Sequence, residues 1–396
     1  MSASLIHGDA CAIPLADDSV DLIVTSSPYF ALRSYTDNDG EHYDGQIGSE
    51  PTPAAFLEAL WAVTAECRRV LKPSGSMFVN LGDKYAGSGG HNNTDIGGEG
   101  RGPSSYNKAA CAPPKSLMGL PWRYAIGCID ELGLILRAEI VWSKPNGLPE
   151  SVTDRVRRSH EQWFHFTKEP RYYAAVDEIR EEHIDAKFED RKPSFQKRNT
   201  DRNDWDRHMS GGYTANPLGK LPGSVWSIPS EPLRVPDHIG VDHFAAFPQE
   251  WPRRLILGWS PPGICVDCGE GRRPVVAKEK TPTRPCGVDQ IGTRMVANGP
   301  GGEVRTNVGC ISTEATITGY ACACPTTDAP THPAVVLDPF AGTGTTVMVA
   351  RALGRYGVGL DLSADYLRLA EWRVFRSGHA AKAIQRTHRD NQGQLL

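Results

Sequence analysis

Short apolar runs and helically spaced apolar residues alternate through the first part of the chain. Residues 52–71 repeat apolar side chains at helical spacing after Thr52, a residue type that favours helix starts, and this pattern predicts a helix. Residues 121–132 predict a second helix. Apolar runs bounded by turn residues predict strands at 5–7, 22–25, 76–81 and 135–142.

The last part of the chain repeats a strand–helix pattern twice. Strands are predicted at 335–337 and 357–361, and helices at 345–353 and 364–375. No strand is predicted after the second helix, and a short strand opens the chain. A parallel sheet explains both features if the two ends of the chain lie side by side, joined by ordinary right-handed crossovers. The pattern therefore predicts an α/β fold with a circularly permuted, Rossmann-like sheet and helices on both faces.

Composition sets only broad limits. The 396 residues are enough for one enlarged α/β domain or for one domain with insertions. A net charge of -4 does not by itself indicate a nucleic-acid-binding protein, although a local basic groove is compatible with it. No apolar run reaches membrane-spanning length and no segment resembles a signal peptide, so we expect a cytoplasmic protein without membrane contact.

A glycine-rich turn follows the strand at 335–337. It comprises Asp338, Pro339, Phe340, Ala341, Gly342, Thr343, Gly344, Thr345 and Thr346. Gly342 and Gly344 allow a ligand to approach the backbone, and a helix starting near Thr345 offers free N–H groups. Val347 occupies the place of the third glycine of the dinucleotide fingerprint, which disfavours a nicotinamide cofactor. Asp361 ends the next strand, where an acidic side chain can accept hydrogen bonds from ribose hydroxyls.

A second motif follows the strand at 22–25. It reads Ser26, Ser27, Pro28 and Tyr29. The carboxyl ends of parallel strands line the ligand crevice of such sheets, so this elbow and the glycine turn are predicted to share one site.

In this order the two motifs resemble the β-type DNA amino-methyltransferases. The usual cofactor motif of that family, D-P-F-x-G-x-G-T-T, matches at every specified position. The usual catalytic motif is (Asp/Asn/Ser)-Pro-Pro-(Tyr/Phe), and Ser27 departs from its first proline. Shorter matching stretches, including residues 80–83, 142–146 and 160–161, extend the resemblance over most of the chain outside two insertions.

The resemblance implies S-adenosylmethionine as the cofactor. The glycine turn and Asp361 would bind it, Asp9 would meet the adenine amino group, and Phe247 would belong to a segment that covers the methionine end.

The resemblance also implies methylation of an exocyclic base amine. Ser26 Oγ and the backbone carbonyl of Ser27 could hold the amine as acceptors, Pro28 would stiffen the elbow, and Tyr29 would stack on the base. No cysteine nucleophile is needed. A leading serine is associated with cytosine N4 and aspartate more with adenine N6, so we expect cytosine, with adenine as the alternative.

Double-stranded DNA is the implied partner, and the target base would be swung out of the helix. Four basic residues near the motifs are candidates for phosphate contacts: Lys144, Arg155, Arg157 and Arg158. The alternative is an ordinary solvated charged face. The charged stretch 177–235 is either a target-recognition region or a disordered insert.

Ten cysteines without a secretory signal indicate reduced thiols, and any ordered cluster is then more typical of metal binding than of disulfides. Two close pairs, Cys265 with Cys268 and Cys322 with Cys324, could form a tetrahedral zinc site. Their spacing is unusual, Cys286 and Cys310 could substitute, and free thiols are the alternative.

The predicted layout has five segments. They are the catalytic half of a methyltransferase domain (1–176), the charged insert (177–235), a segment covering the cofactor (236–262), a cysteine-bearing insert resembling a zinc ribbon (263–330) and the cofactor-binding half (331–396). A homodimer and a cognate restriction endonuclease are further expectations. Two other functions stay open: methylation of a protein or RNA amine, and a zinc-bearing DNA-binding protein that has lost catalysis.

Overall fold

The structure is a computed structural model. It describes residues 3–31, 45–86, 112–147, 149–183, 216–233, 235–236, 239, 246–282, 311–324 and 329–376. Two compact units are present: the first comprises Met1–Val176, Gly223–Arg273 and Cys322–Leu396, and the second comprises Asp177–Pro222 and Pro274–Ala321. Within the described residues no helix is long and apolar enough to cross a membrane.

The first unit is built on one eight-stranded sheet. Its strands, in chain order, are β1 (Ala3–His7), β2 (Val20–Ser26), β3 (Leu71–Leu81), β4 (Ile135–Ser143), β5 (His160–Thr167), β6 (Val225–Ser227), β11 (Val335–Asp338) and β12 (Tyr356–Asp361). Four shorter or separate strands complete the numbering: β7 (Ile264–Cys265), β8 (Arg273–Pro282), β9 (Ile311–Ala321) and β10 (Thr331–His332). The order across the large sheet is β1-β12-β11-β2-β3-β5-β4-β6.

Within the part of the chain that the structure describes, five α-helices accompany the strands. They are α1 (Pro53–Val70), α2 (Leu120–Asp130), α3 (Glu250–Trp259), α4 (Thr345–Ala352) and α5 (Ala364–Glu371), which continues into a π-helical turn at Trp372–Arg376. The N-cap predicted at Thr52 is present, since its hydroxyl accepts a hydrogen bond from the backbone N–H of Ala55 at 3.1 Å. Helix α3 lies in the segment 236–262, for which the sequence predicted a cofactor cover and no helix.

Apolar side chains pack on both faces of the sheet. Along β2, Ile23 belongs to the core formed with α1 and α2, whereas its neighbours Leu22 and Val24 belong to the core formed with α3 and α4. Successive side chains of a strand point to opposite faces, so a sheet buried on both sides requires a near-continuous apolar run. The predicted α/β fold with helices on both faces is confirmed.

The two ends of the chain lie side by side in this sheet. β1 pairs in parallel with β12, and β11 pairs in parallel with both β12 and β2. The sheet is mixed and not wholly parallel, because β5 runs antiparallel to β3 and β4. Strand β5 was not predicted, although its sequence HEQWFHFT is rich in aromatic residues typical of strands.

The described residues of the second unit include a strand pair and an isolated bridge. Strands β8 and β9 pair with each other, and an isolated bridge joins Glu181 to Lys220. The ammonium of Lys220 lies 3.5 Å from the carboxylate of Glu181. Six basic residues of the charged insert are candidates for DNA recognition and lie outside the described residues: Arg191, Lys192, Lys197, Arg198, Arg202 and Arg207.

Candidate active site

A cavity of about 700 Å³ opens at one edge of the sheet. The parallel strands β1, β2, β11 and β12 end there, so the residues that follow them converge. Ser26, Ser27, Pro28 and Tyr29 line this cavity together with Pro339, Phe340, Gly342, Thr345 and Asp361. The catalytic elbow and the glycine turn therefore share one cavity, as their positions after parallel strands predicted.

The elbow is fixed by Asn80, which lies on the neighbouring strand β3. Asn80 Oδ1 accepts hydrogen bonds from Ser26 Oγ at 3.0 Å and from the Tyr29 hydroxyl at 2.8 Å. Its Nδ2 donates to the carbonyl of Gln162 at 3.0 Å, and its carbonyl accepts from the N–H of Ser27 at 3.1 Å. Because the Ser26 proton is directed to Asn80, the lone pairs of Ser26 Oγ remain available as acceptors.

Glu161 and Lys144 extend this network. The single proton of the Tyr29 hydroxyl is shared between Asn80 Oδ1 and Glu161 Oε2, which lies 2.7 Å from the hydroxyl oxygen. The other carboxylate oxygen of Glu161 pairs with the ammonium of Lys144. The Lys144 ammonium sits 4.1 Å from the ring centroid of Trp142. Glu161, Lys144 and Trp142 all line the cavity. A charged pair and an aromatic face therefore stand beside the hydroxyls of the elbow.

Tyr29 is held rigidly as a neutral hydrogen-bond donor. Burial, followed by the charge and hydrogen bond of Glu161, raises the pKa of Tyr29 well above its ordinary value. Its ring packs on Gly82, where an added Cβ would lie 2.6 Å from Tyr29 Cε2. Gly82 is thus required for the observed ring position.

The glycine turn is held by Asp361. One carboxylate oxygen accepts from the N–H of Gly342 at 2.7 Å and the other from the N–H of Ser363 at 2.9 Å. Burial raises the pKa of Asp361, and these two backbone donors act in the opposite direction. The predicted ribose-binding residue therefore also shapes the turn, and it still faces the cavity.

Three predicted cofactor residues lie beneath the turn and do not line the cavity: Asp338, Gly344 and Thr346. Asp338 is fully buried, and its Oδ1 accepts from Thr25 Oγ1 at 2.7 Å and from the N–H of Phe340 at 3.1 Å. Burial raises the pKa of Asp338 to about 6. Gly344 has a φ of 72° and caps α4, and an added Cβ would lie 3.0 Å from Ala370. These residues position the turn.

A buried arginine braces the turn from the π-helical end of α5. Arg373 Nη1 donates to Thr343 Oγ1 and to Thr345 Oγ1, both at 2.6 Å. Burial lowers the pKa of Arg373 to about 10, and the charge of Glu231 opposes that shift. Glu231 lines the cavity and holds Gln249 at the start of α3 through two hydrogen bonds.

Asp9 and Phe247, the remaining predicted cofactor residues, also line the cavity. Asp9 follows β1, and its Oδ1 accepts from the N–H of Cys11 at 2.8 Å. Phe247 packs edge-on against Trp163, with ring centroids 5.9 Å apart. The residues His243, Phe244 and Ala245, which precede Phe247 in its predicted motif, lie outside the described residues.

The four predicted phosphate-binding residues occupy different environments. Lys144 lines the cavity, and Arg158 is largely buried, with its guanidinium 3.4 Å from Asp83. Arg155 stacks 3.9 Å over the ring of Tyr85. Arg157 is exposed and donates from Nη1 to the carbonyl of Gly147, a residue that lines the cavity. This geometry favours Arg157 for an external phosphate and disfavours Arg158.

The four cysteines predicted as metal ligands come together. The sulfur atoms of Cys265, Cys268, Cys322 and Cys324 all lie within 4.8 Å of one another. Cys286 and Cys310 lie outside the described residues.

Four residues of this site were not assigned a role from the sequence: Asn80, Glu161, Glu231 and Arg373. Asn80 did carry a signal, because a polar residue inside the apolar run SMFVNL is costly to bury unless it is hydrogen-bonded. Glu161 carried a weaker signal: it belongs to the stretch 160–161, which resembles the methyltransferase family, but the resemblance assigned it no role.

Comparisons with known proteins agree with this geometry. The family model described as DNA methylase, for N6 and N4 methylation, matches residues 20–272 and 331–371. The type II methyltransferase M.Cfr9I of Citrobacter freundii is 35% identical over 67% of this chain and 75% of its own length. M.SmaI of Serratia marcescens is 29% identical over 95% of this chain and 91% of its own.

A solved structure shares the fold. The PvuII DNA methyltransferase, described as cytosine-N4-specific, superposes with a TM-score of 0.53 at 14% identity, covering 99% of this chain and 94% of that one. At this identity the likeness concerns the fold alone. The family match and the M.Cfr9I identity show that this chain belongs to the N6/N4 DNA methylase family and is a DNA amino-methyltransferase.

Proposed function

We propose that the protein methylates N4 of a cytosine in double-stranded DNA, with S-adenosylmethionine as the methyl donor. The observation that carries this proposal is Ser26, whose hydroxyl donates to Asn80 and so presents lone pairs to the cavity that also contains the glycine turn. An exocyclic amine is a donor and needs acceptors of this kind.

The cavity and its donors fit the proposed cofactor. A volume of about 700 Å³ lies within the usual range for cofactor pockets. Gly342 has a φ of 48° and exposes backbone beside the acidic side chain of Asp361, while Asp9 lies across the same cavity. These residues, with Phe340, Thr345 and Phe247, would hold the cofactor, which supplies an electrophilic methyl group when bound.

The contribution of the chain to catalysis is alignment. The lone pair of a base amine is delocalised into the ring, which makes the amine a poor nucleophile. Two acceptors, Ser26 Oγ and the Ser27 carbonyl, would hold the two amine protons and orient the nitrogen lone pair toward the methyl group. Orientation in a closed site contributes several kcal/mol to rate enhancement without a covalent enzyme intermediate.

Lys144 supports cytosine over adenine. Beyond its amine and ring nitrogen, the Watson–Crick edge of cytosine carries the O2 acceptor, where adenine carries a C–H. Lys144 has three protons, and one pairs with Glu161, so a further proton is available for O2 in the cavity. In this proposal Lys144 reads the base and does not bind a phosphate. Adenine N6 remains the competing outcome of the experiment below.

DNA would reach the cavity through base eversion, which costs a few kcal/mol. Tyr29 offers an aromatic ring that could repay about 1–3 kcal/mol by stacking. Arg157, exposed beside Gly147, and Arg155, stacked on Tyr85, are our candidates for the flanking phosphates. We also propose that recognition of the DNA sequence lies in 177–235.

The names of the relatives support proposals about the biological role, the location and the oligomeric state of the protein. M.Cfr9I and M.SmaI are named type II methyltransferases, which favours a restriction–modification role with a cognate endonuclease. A cytoplasmic location and a homodimer fit such a role.

The direct test is to express the chain in cells without other DNA methylation and to sequence their DNA with a method that separates N4-methylcytosine from N6-methyladenine. We expect N4-methylcytosine within one short sequence word. The Ser26→Ala variant should give no methylation while still binding S-adenosylmethionine in calorimetry. N6-methyladenine in the wild type would replace the cytosine proposal, and unchanged methylation by Ser26→Ala would remove Ser26 from the mechanism.

A further inference from the structure

We propose that Cys265, Cys268, Cys322 and Cys324 bind one structural zinc ion. This site is separate from methyl transfer, because none of the four cysteines lines the cavity. The structure brings together two pairs that lie far apart in the chain, since Cys324 follows Cys265 by 59 residues. All four sulfur atoms lie within 4.8 Å of one another.

The sulfur spacing fits a tetrahedral metal site. Cys265 Sγ and Cys324 Sγ are 3.8 Å apart. A zinc ion with four thiolates at about 2.3 Å has sulfur–sulfur edges of about 3.8 Å, whereas a disulfide requires about 2.05 Å. Four thiolates in tetrahedral geometry are typical of zinc or iron, and because the proposed methyl transfer needs no redox centre we favour zinc.

The backbone around the first pair has the shape of a ligand turn. The N–H of Gly269 donates to the carbonyl of Cys265 at 2.9 Å, and Gly269 has a φ of 72°. The N–H of Cys265 donates to the backbone carbonyl of Glu270 at 2.9 Å, and this hydrogen bond closes the turn. A glycine at this position lets the chain reverse directly after Cys268, so both sulfur atoms face the same point.

The metal would reinforce a segment whose own strand pairing is short. β7 and β10 have only two residues each, and they pair through Cys265 with Thr331 and Ile264 with His332. Short two-stranded pairs are marginal in water, and structural zinc supplies folding energy directly. Strand β10 leads within a few residues into β11, which ends at the glycine turn, so the zinc would anchor the start of the cofactor-binding half.

The experiment uses the full-length protein purified without chelators. We expect one zinc per chain by mass spectrometry of the metals. Titration with a mercurial reagent should release that zinc as four thiols react. Cobalt substitution should give the intense sulfur-to-cobalt charge-transfer bands of a four-thiolate tetrahedral site.

Variants identify the ligands. Cys265→Ser and Cys324→Ser should each lose the metal, whereas Cys11→Ser and the double change Cys286→Ser with Cys310→Ser should retain it. Absence of metal in the wild type, iron in place of zinc, a Cys265–Cys324 disulfide in the mapped peptides, or metal loss in either control would overturn the proposal. The wild-type cobalt spectrum decides the matter even if a serine variant does not fold.

Discussion

Replacing Asn80 by alanine tests the orientation of the elbow. The Asn80 amide makes three side-chain hydrogen bonds: from Ser26 Oγ at 3.0 Å, from the Tyr29 hydroxyl at 2.8 Å and to the Gln162 carbonyl at 3.0 Å. Asn80 is fully buried, so each lost bond costs about 1 kcal/mol, and the variant should lose roughly 2–4 kcal/mol of unfolding free energy.

The catalytic effect of Asn80→Ala should exceed what stability explains. Without the Asn80 acceptor, the Ser26 hydroxyl can rotate its proton toward the cavity, where it would oppose the amine protons of the base. Misalignment worth about 1.4–2.7 kcal/mol lowers the rate by roughly 10- to 100-fold. We expect this loss in single-turnover methylation with saturating cofactor, and an unchanged affinity for S-adenosylmethionine.

Ser76→Ala is the matched control. Ser76 lies on the same strand, is fully buried and bonds His165 Nε2 at 3.0 Å, but it does not line the cavity. It should lose stability and keep its single-turnover rate. A rate for Asn80→Ala within about twofold of wild type, or an equal loss of rate in Ser76→Ala, would show that Asn80 does not orient Ser26 for catalysis.

Three other predictions follow from the same contacts. Burial raises the pKa of Asp338 from 3.8 to about 6, so the folded protein holds this proton more tightly than the unfolded chain does. The free energy of unfolding should therefore fall by about 3 kcal/mol as pH rises from about 4 through about 6. Urea unfolding of Asp338→Asn at both ends of that range should lack this decline, and an equal decline in the variant would contradict the prediction. Asp361→Ala should weaken cofactor affinity, because the N–H of Gly342 loses its acceptor and the turn loosens; equal affinity in calorimetry would exclude this role. Lys144→Met should lower methylation of a target cytosine much more than that of an adenine placed in the same oligonucleotide, and an equal loss on both bases would remove Lys144 from base reading.

The sequence predicted the parts of this site that depend on local order. Glycine turns and elbows directly after apolar strands are recognisable because a parallel sheet places strand ends at one edge, and Ser26 and Gly342 lie there as expected. The adjacency of the chain ends followed from the missing strand after the last helix. The four cysteines were grouped correctly although their spacing was unusual.

Contacts between strands that are distant in the chain could not be predicted from the sequence. Glu161 meets Tyr29 only because β5 inserts antiparallel between β3 and β4, and no local pattern specifies that pairing. Arg373 braces the glycine turn from 28 residues away through Thr345, and it stands in the helix predicted at 364–375, to which the sequence assigned no role in the site. The cationic residues near 144–158 looked equivalent in sequence, yet burial separates Arg158 from Arg157.

The pairing of β1 with β12, and of β2 with β11, has a consequence during protein synthesis. The ribosome makes the elbow within the first thirty residues, but β11, one of the two strands that flank β2, is translated long after it. A nascent chain that ends before Asp338 has no partner for β1 and no glycine turn opposite Tyr29. A product that stops before Asp338 therefore lacks the glycine turn and cannot assemble this cavity.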